Sequence, residues 1–203
     1  MRFSDTPLSG LIKGIRDGLV GVGDAEHTLF AQETPGFGEY WLGDKRYGFR
    51  LHSFIYRHVT VDSAEEKLLF DAQRQRLGFL ARRLMKQMRA GDKVMVYAPH
   101  ETIPTREEVL DLFAAIRRHG RSPLLFIAPA AADNPEGTIE IVEPGLIFGY
   151  LDRHRNNTLP NYYPEWLKLC KTVWQIAERW QQEVPDMIGF GDPASAKPKS
   201  HRN

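Results

Sequence analysis

An imidazole beside a carboxylate is the smallest pair of side chains that moves protons near neutral pH, and the sequence offers several places for one. His52 stands in an alternating run, with Phe49, Leu51, Ser53 and Ile55 on one parity and Arg50, His52, Phe54 and Tyr56 on the other. A lone histidine in such a run is either a satisfied core residue or a base projecting into a cleft. His100 and Glu101 follow the apolar run from Lys93 to Ala98, Asp133 and Asn134 follow the run ending at Ala128, and Asp152-Arg153-His154-Arg155 follows Leu146 to Leu151. If these runs are strands, their carboxyl ends are where loops and helix starts converge on a ligand. The same residues also serve as caps for neighbouring backbone. His52 and Asp152 are the catalytic candidates. His100, Arg153 and Arg155 are the ligand-binding candidates, the two arginines suiting a phosphorylated or sugar-linked ligand.

Other chemistry is disfavoured by residue type and spacing. Cys170 is the single cysteine, so it forms no internal disulfide, and it shares a helical stripe with Trp166, Val173 and Trp174, where a thiol behaves as a small hydrophobe rather than a nucleophile. The seven histidines show no His-x-x-x-His or His-Glu-x-x-His spacing, so no metal is expected. Gly21-Val22-Gly23 and Gly36-Phe37-Gly38 lack the third glycine of a dinucleotide loop, and no cofactor is expected. Between Arg74 and Arg89 stand six basic residues and no acid, a stripe that could meet phosphate or an anionic surface, yet 27 Lys+Arg against 26 Asp+Glu leave the chain at +1. That balance makes nucleic acid an unexpected partner, and leaves a small molecule or a protein. No apolar run reaches the length of a membrane span, and cysteine usage fits the reducing cytoplasm.

The elements that must position these residues follow from periodicity and punctuation. Residues 7 to 19 predict a short amphipathic helix weakened by Gly10, Gly14 and Gly18, and 39 to 58 predict an aromatic-rich hairpin about Gly43-Asp44. Ser63 with Glu66 opens a long helix to Ala90, with Leu69, Gln73, Leu77, Leu80, Leu84 and Met88 on its face and Gly91 closing it. Then come a strand over 93 to 98, a helix from Thr105 to Gly120, and a strand over 124 to 128, a βαβ unit with a parallel pair. Strands over 138 to 142 and 146 to 151 flank Glu143-Pro144-Gly145. A last helix from Pro164 should pack on the sheet through Trp166, Cys170, Val173, Trp174, Ala177 and Trp180. The expected architecture is one layered α/β domain over 1–190, a mixed, partly parallel sheet with helices on both faces. The Pro-, Ser- and Lys-containing stretch 191–203 is an expected disordered tail.

Several short stretches together resemble a known family: Arg2-Phe3 with Thr6-Pro7-Leu8, Gly38-Glu39-Tyr40, Arg46-Tyr47-Gly48-Phe49 with His52 beyond, Arg76-Leu77 with Phe79-Leu80, Gly91-Asp92-Lys93 before Val96-Tyr97, and Gly149-Tyr150-Leu151-Asp152-Arg153. The likeness runs over residues 2 to 180, to alphaproteobacterial proteins related to a domain of unknown function that carries the label papain-like cysteine peptidase. The resemblance implies a Gly-(Asp/Glu)-Asn-Cys segment ahead of the Arg-Phe stretch that supplies a thiol, with the histidine matching His52 as its base. The chain opens at Arg2-Phe3 without a counterpart of that cysteine, so the expectation is a family relative inactive in this form. The alternative is a non-catalytic binding module for phosphorylated or sugar-linked ligands that uses Arg153, Arg155 and the basic helix. A reading frame continuing upstream of Met1 with one more strand is also expected, since its loss would leave a sheet edge open to homodimerisation.

Overall fold

The computed structural model describes residues 6–34, 37–56, 63–99, 102–152 and 164–183. The order of elements is α1 (Leu8–Arg16), β1 (Thr28–Thr34), β2 (Phe37–Asp44), β3 (Arg50–Tyr56), α2 (Ser63–Ala90), β4 (Met95–Tyr97), α3 (Arg106–Arg117), β5 (Leu124–Pro129), β6 (Ile139–Glu143), β7 (Leu146–Leu151) and α4 (Pro164–Glu183). The class is α/β, with one antiparallel sheet, β1-β2-β3, and one mixed sheet, β4-β5-β7-β6. The chain divides into two compact units, Met1–Lys86 and Gln87–Asn203. The expected tail 191–203 lies outside the described residues.

In the first unit the hairpin is where the sequence placed it. Gly43 pairs with Arg50, and the turn between them is tied by Asp44, whose Oδ1 accepts the Tyr47 N–H at 2.7 Å while its own N–H donates to the Phe49 carbonyl at 2.8 Å. Asp44 is buried, and burial pushes its carboxyl up from the ordinary range. Two of the glycines that weaken the first helix, Gly10 and Gly14, are packing positions, while Gly18 lies past the end of α1. A Cβ on Gly10 would stand 2.0 Å from the Tyr47 carbonyl oxygen, and one on Gly14 would stand 2.7 Å from the Phe49 ring. The cost in helix propensity is thus exchanged for a close seat on the hairpin turn, with Leu11, Ile12 and Ile15 buried. Strand β1, which no periodicity announced, lies antiparallel on β2 with Phe30 stacked on Tyr40 at 4.7 Å between ring centroids.

In the second unit, β4, β5 and β7 run parallel and β6 turns back antiparallel to β7 through Gly145, whose φ is +94°. The βαβ unit is present, and the Thr105–Glu108 capping box that opens α3 is formed in both directions. One sheet face carries Leu125, Ile127, Ile147 and Leu151 against Leu169, Val173 and Ile176 of α4. On the other, the Arg106 guanidinium at the start of α3 lies 5.3 Å from the Phe148 ring centroid. Helices therefore cover both faces. One expectation needs correction: Trp174 is not buried on the sheet but 41 % exposed, while Leu169 and Ile176 are buried in its stead. The buried stripe follows Leu169, Val173, Ile176 and Ala177, and Trp174, one residue on from Val173, is turned by about 100° from it.

Candidate functional site

The register of the first sheet builds the site around His52. Trp41 pairs with His52 across the hairpin, but the next pair is Glu39 with Tyr56, so β3 carries two extra residues between these positions. That bulge contains Phe54, whose φ is +63°. A side chain with Cβ in the left-handed region costs roughly 1–3 kcal/mol, and such residues persist only where their surroundings over-determine them. Here the bulge turns the Phe54 N–H onto Glu39 Oε1, while Glu39 Oε2 lies 2.7 Å from Nδ1 of His52. One carboxylate thus holds both the bulge backbone and the imidazole. Its side chain is 11 % exposed and that of His52 is 39 % exposed.

The pair fixes a tautomer. An ionised carboxylate only accepts hydrogen bonds, so the proton between the two groups sits on Nδ1 and the neutral ring presents Nε2 as an acceptor. Among the described residues no hydrogen-bond partner meets Nε2. The ring plane is set as well. Trp41 lies 4.1 Å from the imidazole by ring centroids and Phe54 lies 5.9 Å away, with Arg50 over Trp41 at 5.2 Å and Arg76 over Phe54 at 5.8 Å. Two cations and three rings form one row, each contact worth on the order of 0.5–1 kcal/mol at a surface. His52 is therefore not a core histidine: Phe49, Leu51 and Ser53 are buried, and the opposite parity bearing His52 faces outward.

Asp152 belongs to the second unit, at the end of β7, and its N–H donates to Glu136 Oε1 at 3.2 Å. His100, Arg153 and Arg155 lie outside the described residues. At the same carboxyl edge stands a cluster that periodicity did not disclose. Glu140 accepts from Arg106 at 2.7 Å and from the Tyr150 hydroxyl at 2.7 Å. Those two bonds hold the Glu140 carboxyl below its usual range. Burial, and then the bond to Glu140, pushes Tyr150 up to about 12. This trio clamps α3 to β6 and β7 and leaves the tyrosine a firmly held donor.

Cys170 on α4 is half-buried, and burial pushes its thiol up, which lowers its thiolate content. Among the described residues no group of three or more His, Cys, Asp or Glu side chains could hold a metal ion, and no helix is long and apolar enough to cross a membrane. Glu39 was legible in principle, since folding the hairpin about Gly43 and Arg50 brings it within a residue pair of His52. The bulge was not, because nothing in Ser53-Phe54-Ile55 marks a left-handed residue. No protein-family model, no curated protein and no solved structure matches the chain.

Proposed function

We propose that the first unit carries a proton-transfer centre in which Glu39 holds His52 and Nε2 of His52 takes a proton from a nucleophile. The supporting observation is the 2.7 Å contact between Glu39 Oε2 and His52 Nδ1, made by a carboxylate whose other oxygen is tied to the strained backbone of Phe54. A base oriented by a partly buried carboxylate is the acid–base half of the thiol-hydrolase chemistry that the resemblance implies. Cys170 is half-buried and burial pushes its thiol up, away from a reactive thiolate, so the nucleophile assigned to His52 is water. The reaction class is general-base hydrolysis of an activated acyl group. The alternative, a binding module for phosphorylated or sugar-linked ligands, rests on the basic helix and on Arg153 and Arg155, which lie outside the described residues.

Hydrolysis of p-nitrophenyl acetate by the full chain tests this reading. His52→Ala is expected to lower the rate by about tenfold or more, and Glu39→Gln by a similar factor. Alkylating Cys170 is expected to leave it unchanged. A rate that survives in His52→Ala, or that disappears with Cys170 alkylation, refutes the proposal.

A further inference from the structure

The basic run of α2 has a use that the His52 site does not exhaust. Arg76, Phe79 and Arg82 follow one another in steps of three residues, each about 4.5 Å along the helix axis, so the Phe79 ring stands between two guanidinium positions. Phe79 is 53 % exposed. With Arg74 these residues line an open groove of about 690 Å³, to which the turn Val22-Gly23-Asp24 contributes as well. Gly78 makes the groove possible. A Cβ there would stand 3.3 Å from both Nη1 of Arg82 and the Val22 carbonyl oxygen.

The charges in the groove are unequally spent. Arg74 donates to Asp71 at 3.0 Å and to the Gly23 carbonyl at 3.4 Å, and Arg76 donates to Gln73 at 3.4 Å. Among the described residues Arg82 has no carboxylate or hydrogen-bond partner. Three guanidiniums therefore face the groove against the single carboxylate of Asp24.

We infer that this groove binds a small phosphorylated ligand that carries a flat ring, of the nucleotide class. Phosphoryl oxygens match the paired donors of Arg82 and Arg76, the ring stacks on Phe79, and Asp24 accepts from a sugar hydroxyl or a ring amine. A whole nucleic-acid strand is the poorer fit, because the chain as a whole carries only +1. The groove shares Arg76 with the ring row beside His52, but its test shares no measurement with the Glu39–His52 reading.

Isothermal titration of the full chain with adenosine diphosphate and with inorganic pyrophosphate tests it, alongside a short oligothymidylate. Arg82→Gln is expected to weaken both small ligands by about tenfold or more. Phe79→Ala is expected to weaken adenosine diphosphate by about fivefold or more while sparing pyrophosphate. Lys171→Gln, on exposed α4 surface, is expected to change neither. Both groove residues are exposed, and unchanged thermal unfolding of each variant confirms the fold is intact. The inference is overturned if adenosine diphosphate does not bind at millimolar concentration or if Arg82→Gln leaves its affinity unchanged. It is equally overturned if Phe79→Ala weakens pyrophosphate as much as the nucleotide, if Lys171→Gln weakens binding as much as Arg82→Gln, or if only the oligothymidylate binds.

Discussion

Leu169→Ala is expected to destabilise the second unit by about 3–5 kcal/mol, read as a lowered urea midpoint with an unchanged slope. The side chain is 1 % exposed within the cluster that joins α4 to β5 and β7. Its two methyl carbons lie 2.6 and 3.1 Å from where a Cβ on Gly149 would stand, so Leu169 fills the notch that this glycine leaves in the middle of β7. Removing three carbons there opens a cavity that the rigid strand cannot close. Two companions make the expectation specific. Trp174→Ala removes a larger side chain that is 41 % exposed, and is expected to cost below about 1 kcal/mol. Gly149→Ala is destabilising alone, because the added methyl meets Leu169, but is expected to be much less so in the Leu169→Ala background, a positive coupling in a double-mutant cycle. A Trp174→Ala cost above that of Leu169→Ala contradicts the burial pattern of α4.

The second large effect is expected at Gly23. Its φ is +89°, and a Cβ there would stand 2.6 Å from the Arg74 carbonyl oxygen and 2.6 Å from the Gly78 nitrogen. Both are helix backbone and cannot turn aside, so the turn has to lift from α2. Left-handed strain adds to the overlap, and together they give an expected loss of about 3–5 kcal/mol in the first unit. Gly18 is the natural comparison. It has a φ of +69° with nothing within 4 Å, so Gly18→Ala is expected to show the strain alone, about 1 kcal/mol. Equal losses at the two positions would mean that the turn does not press on the helix. Thermal unfolding of the full chain reads both.

What could be read from the sequence divides along physical lines. Elements whose signals are local were legible: the Thr105–Glu108 box, the Gly145 turn, the apolar run of β7 and the extent of α2 each depend on residues a few positions apart. Strand β1 was missed because Thr28–Thr34 mixes polar and apolar residues without alternation, and its pairing with β2 decides its conformation. The buried face of α4 was displaced because three tryptophans drew the expected stripe toward Trp174, whereas notches such as Gly149 favour the branched Leu169. At the site, His52 was visible as an imidazole out of place in an alternating run. Its partner Glu39 needed the hairpin register, and the contact itself needed a bulge at Phe54 that tertiary structure imposes against local preference. The Arg106–Glu140–Tyr150 trio joins residues 34 and 10 positions apart, beyond any local pattern.

With Glu39 Oε2 at 2.7 Å, the proton of a neutral His52 belongs on Nδ1 and Nε2 is left to accept. Long-range ¹⁵N–¹H correlation of the His52 ring in its neutral form measures this directly, because protonated and bare ring nitrogens have well-separated shifts and His52→Ala identifies the signals. A protonated Nδ1 and a bare Nε2 are expected in the intact chain, with that preference lost in Glu39→Gln. A neutral His52 that carries its proton on Nε2, or whose tautomer is indifferent to Glu39→Gln, would contradict this placement of the proton.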